Sequence, residues 1–179
     1  MEPWENPKIY NLTGSGAIIK DNRILTSAHV VSGANFVEVQ KENDSKKYDA
    51  TVKYISNDVD LAILEVNDKT FFADTKPLEI SEDIKIKDSV TAIGYPVGGN
   101  TLSTTNGIVS RIEYRNYIWN PWAQYMTIQV DAAINSGNSG GAIIDKDNKL
   151  IGIAMMKLTN TDNIAYIVPS VAINTFLND

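Results

Sequence analysis

The segment Asn135-Ser136-Gly137-Asn138-Ser139-Gly140-Gly141 sets a serine among glycines, directly after a strand-like run and before the apolar Ala142-Ile143-Ile144. Acyl transfer needs such an arrangement. The backbone must turn tightly, expose the hydroxyl, and aim N–H groups at the oxyanion that forms when a carbonyl is attacked. Gly137, Asn138 and Ser139 form the expected oxyanion hole, with the N–H groups of Gly137 and Ser139 as its donors. Taken alone, the same letters also read as an ordinary glycine-rich turn.

A serine hydroxyl is a weak nucleophile at neutral pH without a base beside it. The chain has one histidine, His29, within Leu25-Thr26-Ser27-Ala28-His29-Val30-Val31. A lone histidine in apolar surroundings is more often structural than catalytic. The small residues before His29, and the need of Ser139 for a partner, assign it as the general base. A third group should accept from Nδ1–H and so hold the tautomer whose Nε2 faces the serine. Asp60, at the start of the apolar Leu61-Ala62-Ile63-Leu64, fits that role. The competitor Asp58 lies in a polar turn beginning at Asn57 and reads as solvated.

These three residues stand far apart in sequence, so a rigid scaffold of β-strands must bring them together. Short runs rich in β-branched and aromatic residues, separated by turn residues, fill most of the chain: Ser15–Lys20, Arg23–Ser27, Phe36–Lys41, Tyr48–Ser56, Leu61–Val66, Ser89–Tyr95, Thr101–Glu113, Tyr125–Asp131, Gly141–Asp145, Leu150–Met156 and Ile164–Val168. Asp21-Asn22 reads as a hairpin turn, since both residues tolerate left-handed backbone. The polar stretch Asn67–Lys87 connects two lobes, with a boundary near Pro77. After Pro169, the apolar Val171, Ile173, Phe176 and Leu177 have helical spacing. The expectation is an all-β protein with lobe one over about 1–77, lobe two over about 78–168, and a short C-terminal helix over about 169–178.

Thr26-Ser27-Ala28-His29-Val30-Val31, Asp60-Leu61-Ala62-Ile63-Leu64 and Gly137-Asn138-Ser139-Gly140-Gly141 follow one another in the order His, Asp, Ser, the three residues being 31 and 79 positions apart. Together they resemble the HtrA/Deg branch of chymotrypsin-fold (trypsin-like) serine proteases. Thr13-Gly14-Ser15-Gly16, Ala92-Ile93-Gly94-Tyr95-Pro96, Thr105-Asn106-Gly107-Ile108-Val109-Ser110 and Ile128-Gln129-Val130-Asp131-Ala132 agree with that resemblance, which runs from about residue 13 to about residue 173. The Gln129–Asn135 segment and Asn163-Ile164-Ala165-Tyr166-Ile167-Val168-Pro169 resemble the plant-type Deg proteins in particular.

The resemblance implies a double β-barrel of the chymotrypsin/trypsin type, with His29 and Asp60 on the first barrel, Ser139 on the second, and a cleft between them. It implies that substrate lies as an extended strand along Ile153-Ala154-Met155, with a specificity pocket lined by Ile134, Asn135, Ser136 and the Gly152–Met156 strand. No acidic residue falls in those segments, so cleavage of unfolded polypeptides after small or medium apolar residues is expected. Tyr114–Gln124, with Tyr117, Trp119 and Trp122, aligns with a mobile activator-sensing loop, or else packs as an aromatic loop on the barrel. Trp4 and Tyr10 fall where relatives build trimers, or else cap the first barrel. Two departures from the resemblance stand out: no PDZ domain of the kind common in the family is expected within the 179 residues, so that the sequence reads either as an excised protease domain or as a form lacking that regulation, and Ala142 replaces a frequent proline.

Composition narrows the remaining classes. Cysteine is absent, which removes thiol nucleophiles, disulfides and thiolate metal sites. With His29 already assigned, neither a metal site nor a cofactor is expected. The net charge of −6, without a basic run, argues against nucleic acid. No stretch approaches the roughly 18 apolar residues of a membrane span. The N-terminus lacks a secretory pattern, so the chain as written reads as cytoplasmic, or as exported after removal of a signal. Asp145-Lys146-Asp147-Asn148 lacks the glycine and glutamate of a calcium loop, and Gly94–Gly99 lacks the Lys-Ser/Thr of a phosphate loop. The rival functions are a non-catalytic holdase using the same cleft and a serine esterase. The esterase lacks its strand-to-helix elbow.

Overall fold

The computed structural model describes residues 11–97, 101–117, 120–157 and 164–178. Trp4, Tyr10, Trp119 and Asn163, singled out above, lie outside these residues, as do Gly98 and Gly99. Eleven strands alternate along the described chain: β1 (Ala17–Ile19), β2 (Arg23–Thr26), β3 (Val37–Gln40), β4 (Lys47–Ser56), β5 (Leu61–Val66), β6 (Ser89–Gly94), β7 (Ser103–Tyr117), β8 (Asn120–Val130), β9 (Ala142–Ile144), β10 (Leu150–Lys157) and β11 (Ala165–Pro169). A one-turn helix, α1 (Ala28–Val31), follows β2, and α2 (Ser170–Asn178) closes the chain.

The strands form two antiparallel systems. The first is a five-stranded half-barrel in the order β1-β2-β5-β4-β3, and the second is a closed barrel in the order β10-β11-β8-β7-β6-β9. Asp21 and Asn22 both take left-handed backbone (φ 63° and 54°) between β1 and β2, the conformation their short polar side chains tolerate. The fold is thus the trypsin-like all-β architecture that the strand pattern and motifs imply, with the first ring left open along β1 and β3 among the described residues.

β5 and β10 carry almost unbroken apolar runs because both of their faces are covered. Side chains alternate across a strand, so Ala62, Leu64 and Val66 enter the first-lobe core with Ile24, Val31, Tyr48, Phe71 and Phe72. Leu61 and Ile63 point the other way, into a third cluster shared with Leu150, Ile153, Met155 and Val168 of the second barrel and Ile173 of α2. That shared cluster fuses the lobes. The connecting segment stitches the same seam, as Leu78 N–H donates to the Ile18 carbonyl (2.9 Å) and Leu150 N–H to the Glu79 carbonyl (2.7 Å).

Three local features depart from the strand pattern. α1 and a 3-10 turn at Lys69–Phe72, capped by the Asp68 carboxylate accepting from Thr70 N–H, occupy stretches too short to show helical periodicity. The Tyr114–Gln124 segment is also not a loop throughout. β7 and β8 continue pairing through Tyr114–Met126, Arg115–Tyr125 and Asn116–Gln124, so Tyr114 and Trp122 stand on a two-stranded ribbon, on which Trp122 is 95% exposed.

Candidate active site

β2 delivers Thr26 and Ser27 to the seam between the lobes, and α1 begins immediately after. Ser27 occupies the N-cap position, but its hydroxyl donates to the Ala154 carbonyl (3.2 Å) and leaves the helix uncapped by its own neighbour. Asp60 supplies the cap from across the lobe. Its carbonyl accepts from Ala28 N–H (3.1 Å) and its Oδ1 from His29 N–H (2.9 Å), satisfying two donors that a helix start leaves without partners.

The same carboxylate meets the imidazole, with His29 Nδ1 lying 2.8 Å from Oδ2 and 3.0 Å from Oδ1. A carboxylate can only accept, so Nδ1 carries a proton, and in the neutral ring Nε2 is then the nitrogen that accepts. Asp60 is 1% exposed and the His29 side chain 32% exposed, so the pair is buried at its acidic end and open at its basic one. Asp58, the competitor for this role, is exposed. Asp60 itself holds φ 57°, a left-handed conformation uncommon for a non-glycine residue, at the point where the turn after β4 hands over to β5.

A layer of close contacts joins the Ser139 segment to the residues that flank His29. Its carbonyl accepts from Ser15 N–H (2.8 Å). Gly14 is wedged between that carbonyl and the side chain of Val30, next to His29: a Cβ there would lie 3.1 Å from the first and 2.5 Å from the second. Gly140 takes φ +82° and abuts Thr26 and Ser27. The nucleophile segment and the histidine segment are thereby held within a glycine's width of each other.

The oxyanion segment is fixed by its carbonyls. Val97 N–H donates to the Ser136 carbonyl and Gly141 N–H to the Asn138 carbonyl, both at 2.8 Å. In a planar trans peptide the N–H points opposite the C=O. The first bond therefore sets the direction of Gly137 N–H, and the second that of Ser139 N–H. Neither of these two N–H groups makes a backbone hydrogen bond among the described residues. The Asn138 N–H is different. It donates to the Asn135 carbonyl (3.0 Å), which leaves the N–H groups of Gly137 and Ser139 as the candidate donors of the expected oxyanion hole.

At the expected substrate-pairing edge, two of the three residues are already paired on both sides. Ile153 lies between Ala142 of β9 and Val168 of β11. Ala154 N–H donates to the Gly141 carbonyl (2.9 Å), and its own carbonyl accepts from Gly140 N–H (2.8 Å) while β11 pairs with it on the other side. Both residues have two occupied edges and none left for substrate. β9 ends there, and a bulge at Met155 breaks the register with β11, so the edge without a β9 partner begins at Met155 and runs to Lys157. Ile134 is 3% exposed within the second-barrel core, whereas Asn135 and Ser136 are exposed.

Sequence reasoning passed over Ser15, Thr26 and Val97. Thr13-Gly14-Ser15-Gly16 marked a resemblance, but nothing in those letters showed that the Ser15 hydroxyl would donate to the Gly137 carbonyl (2.7 Å) and accept from Tyr95 N–H (2.8 Å). Such contacts span 122 and 80 residues, and no local pattern encodes them. Among the described residues no cluster of His, Cys, Asp or Glu is suited to a metal ion.

Residues 14–153 match the family model described as a trypsin-like peptidase domain. The chain is 44% identical over 178 residues to protease Do-like 4, mitochondrial, of Arabidopsis thaliana, covering 99% of this chain and 34% of that protein. It is 41% identical over 176 residues to a serine protease DegP homolog of Plasmodium falciparum (isolate 3D7), covering 98% of this chain and 20% of the relative. It thus spans about a third or less of the length of these curated relatives. Among solved structures, the active form of the Rv3671c protease from M. tuberculosis superposes with a TM-score of 0.82 at 26% identity, over 93% of this chain and 73% of the other.

Proposed function

The chain belongs to the trypsin-like peptidase family, among its Do-like (Deg/HtrA) proteases, and from that premise we propose that it is a serine endopeptidase that cleaves unfolded polypeptides in protein quality control. The observation that carries this reading is the grip of the buried Asp60 carboxylate on His29 at both ring and backbone, beside a serine framed by glycines.

In the proposed reaction, Ser139 Oγ attacks the peptide carbonyl carbon while its proton passes to His29 Nε2. The imidazolium is stabilised by Asp60, and the oxyanion by the N–H groups of Gly137 and Ser139. The tetrahedral adduct collapses, the C–N bond breaks, and His29 returns the proton to the leaving amine. Water, deprotonated by the same imidazole, then hydrolyses the acyl-enzyme ester.

Substrate adds as an extended strand along Met155–Lys157, where main-chain pairing gives affinity with little dependence on sequence. Neither Ile134–Ser136 nor Gly152–Met156 contains a charged residue. Small or medium apolar residues are therefore the proposed cleavage sites, and folded proteins bury most such residues, which directs the enzyme to unfolded chains.

The test is digestion of an unfolded protein such as casein by the wild type and by Ser139→Ala, with cleavage sites mapped by mass spectrometry. Cleavage after apolar residues that disappears in the variant supports the reading. Cleavage surviving in Ser139→Ala rejects the nucleophile. If neither protein cuts while both suppress aggregation, a holdase takes its place.

A further inference from the structure

All three polar groups of Ser15, through four hydrogen bonds, act at the seam between the lobes. The residue is 7% exposed, and each group bonds a segment of the site. Its N–H donates to the Ser139 carbonyl (2.8 Å), and its carbonyl accepts from Thr26 Oγ1 (2.7 Å), three residues before His29. Its hydroxyl donates to the Gly137 carbonyl (2.7 Å) and accepts from Tyr95 N–H (2.8 Å). A first-lobe serine thus holds the carbonyls on both sides of Asn138, in the centre of the oxyanion segment of the second lobe.

We propose that Ser15 is a positioning residue that holds the Gly137 N–H in oxyanion-binding orientation through its hydroxyl, an inference that rests on the endopeptidase reading above. The peptide 136–137 presents either its N–H or its C=O to the hole. Two restraints select the N–H, and both converge on the Ser15 hydroxyl. The direct one is the bond to the Gly137 carbonyl, which fixes the following peptide plane and with it the rotation at Gly137 (φ +94°). The indirect one runs through Tyr95, whose N–H the hydroxyl holds; two residues on, Val97 N–H pins the Ser136 carbonyl (2.8 Å) away from the hole.

Glycine is needed at 137 for the same reason. A Cβ there would lie 2.5 Å from the Tyr95 carbonyl and 2.6 Å from Val97 N, so the 95–97 backbone packs flush against the segment it restrains. Without the Ser15 hydroxyl, the Gly137 carbonyl and the Tyr95 N–H lose a shared partner and peptide 136–137 is freer to rotate. Substrate pairing on Met155–Lys157 touches none of these atoms. The loss should therefore fall on turnover rather than on binding.

The experiment compares wild type, Ser15→Ala, Ser15→Cys and the remote core variant Phe72→Leu, which lowers folding stability away from the seam. Steady-state hydrolysis of a peptide cut by the wild type should show kcat reduced about ten-fold or more in Ser15→Ala with KM within about two-fold, since oxyanion contacts act in the transition state. Ser15→Cys, a weaker donor of similar shape, should fall between, and it keeps the comparison decisive if the alanine variant does not fold. Phe72→Leu should keep the wild-type kcat. On the same proteins, amide hydrogen exchange should show Asn138 N–H protected in the wild type and deprotected in the Ser15 variants, whether or not any protein cleaves peptide.

An unchanged kcat in both Ser15 variants, a loss confined to KM, or Asn138 protection that survives removal of the hydroxyl overturns the inference. A wild type that cleaves no peptide overturns the endopeptidase reading instead, and the exchange measurement still decides whether the hydroxyl orders the segment.

Discussion

Asp60 binds His29 twice through one carboxylate, at the main-chain N–H (2.9 Å) and at Nδ1 (2.8 Å), while its own backbone is held at φ 57°. One group thus caps α1 and orients the imidazole, so the helix start cannot shift without turning the ring. Left-handed backbone at a non-glycine residue persists only where its surroundings over-determine it. Here the bond from Ala28 N–H to the Asp60 carbonyl does so.

Asp60→Asn separates the two duties of this group. The amide oxygen still accepts from His29 N–H, but the NH₂ group donates to Nδ1 and forces the proton onto Nε2, where it can no longer take one from Ser139. The expected fall in kcat/KM is roughly ten-thousand-fold, with folded secondary structure retained by circular dichroism. A loss below ten-fold would remove Asp60 from the catalytic group.

The Asp68 carboxyl is pushed down to about 2, first by its hydrogen bond with the Lys46 ammonium and then by the hydroxyl and N–H of Thr70. Its folded value lies below the ordinary 3.8. The stability it contributes is therefore complete above that ordinary value and is lost as pH falls toward 2. Thermal melts of wild type and Asp68→Asn should differ by a constant gap at neutral pH that closes between about pH 4 and 2. Because Lys46 and Asp68 are exposed to solvent, added salt should narrow the gap at neutral pH as well. A gap that widens in acid contradicts the assignment.

The proposed addition of substrate along Met155–Lys157, an edge without a β9 partner among the described residues, would make substrate affinity a property of main-chain bonds. N-methylation removes one donor without touching a side chain. A scan of single N-methyl groups along an extended peptide bound to Ser139→Ala should weaken binding in an alternating pattern, since successive amides of a strand point to opposite sides. Uniform weakening along the peptide, or none, counts against strand addition.

The sequence carried the parts of this site that reside in short segments. The glycines around Ser139, the small residues before His29 and the apolar run after Asp60 each state a local requirement of backbone or burial, and these survive as letters. The strands were legible for the same reason, with β5 and β10 marked by long apolar runs. What escaped was pairing across distance. The Ile153-Ala154-Met155 triplet looks uniform in sequence, yet Ala142 and Gly141 take the edges of its first two residues and leave only the third. Ser27 reads as the end of a strand, yet a helix starts after it, its hydroxyl is drawn to the Ala154 carbonyl, and the cap comes from Asp60. The ribbon at Tyr114–Gln124 was hidden because its aromatics break the alternation that marks a half-buried strand.

Gly140 ties the nucleophile turn to the histidine segment, and two glycine-to-alanine variants separate the two costs of replacing it. At Gly140, φ is +82° and an added Cβ would lie 2.2 Å from Thr26 Oγ1 and 2.3 Å from the Ser15 carbonyl oxygen. At Gly33, φ is +74° and nothing lies within 4 Å of the same position. Both variants force alanine into left-handed backbone, at about 1–2 kcal/mol. Only Gly140→Ala must also push apart the contacts that join Thr26, Ser15 and the turn at Ser139. Gly33→Ala should therefore lower the melting temperature by a few degrees and leave kcat intact. Gly140→Ala should cost at least about 3 kcal/mol, or roughly 6–12 °C, and should lower activity even well below its melting temperature. Equal losses in the two variants would mean that the turn relaxes freely, and that the close approach of Gly140 to the first lobe does not hold Ser139 in place.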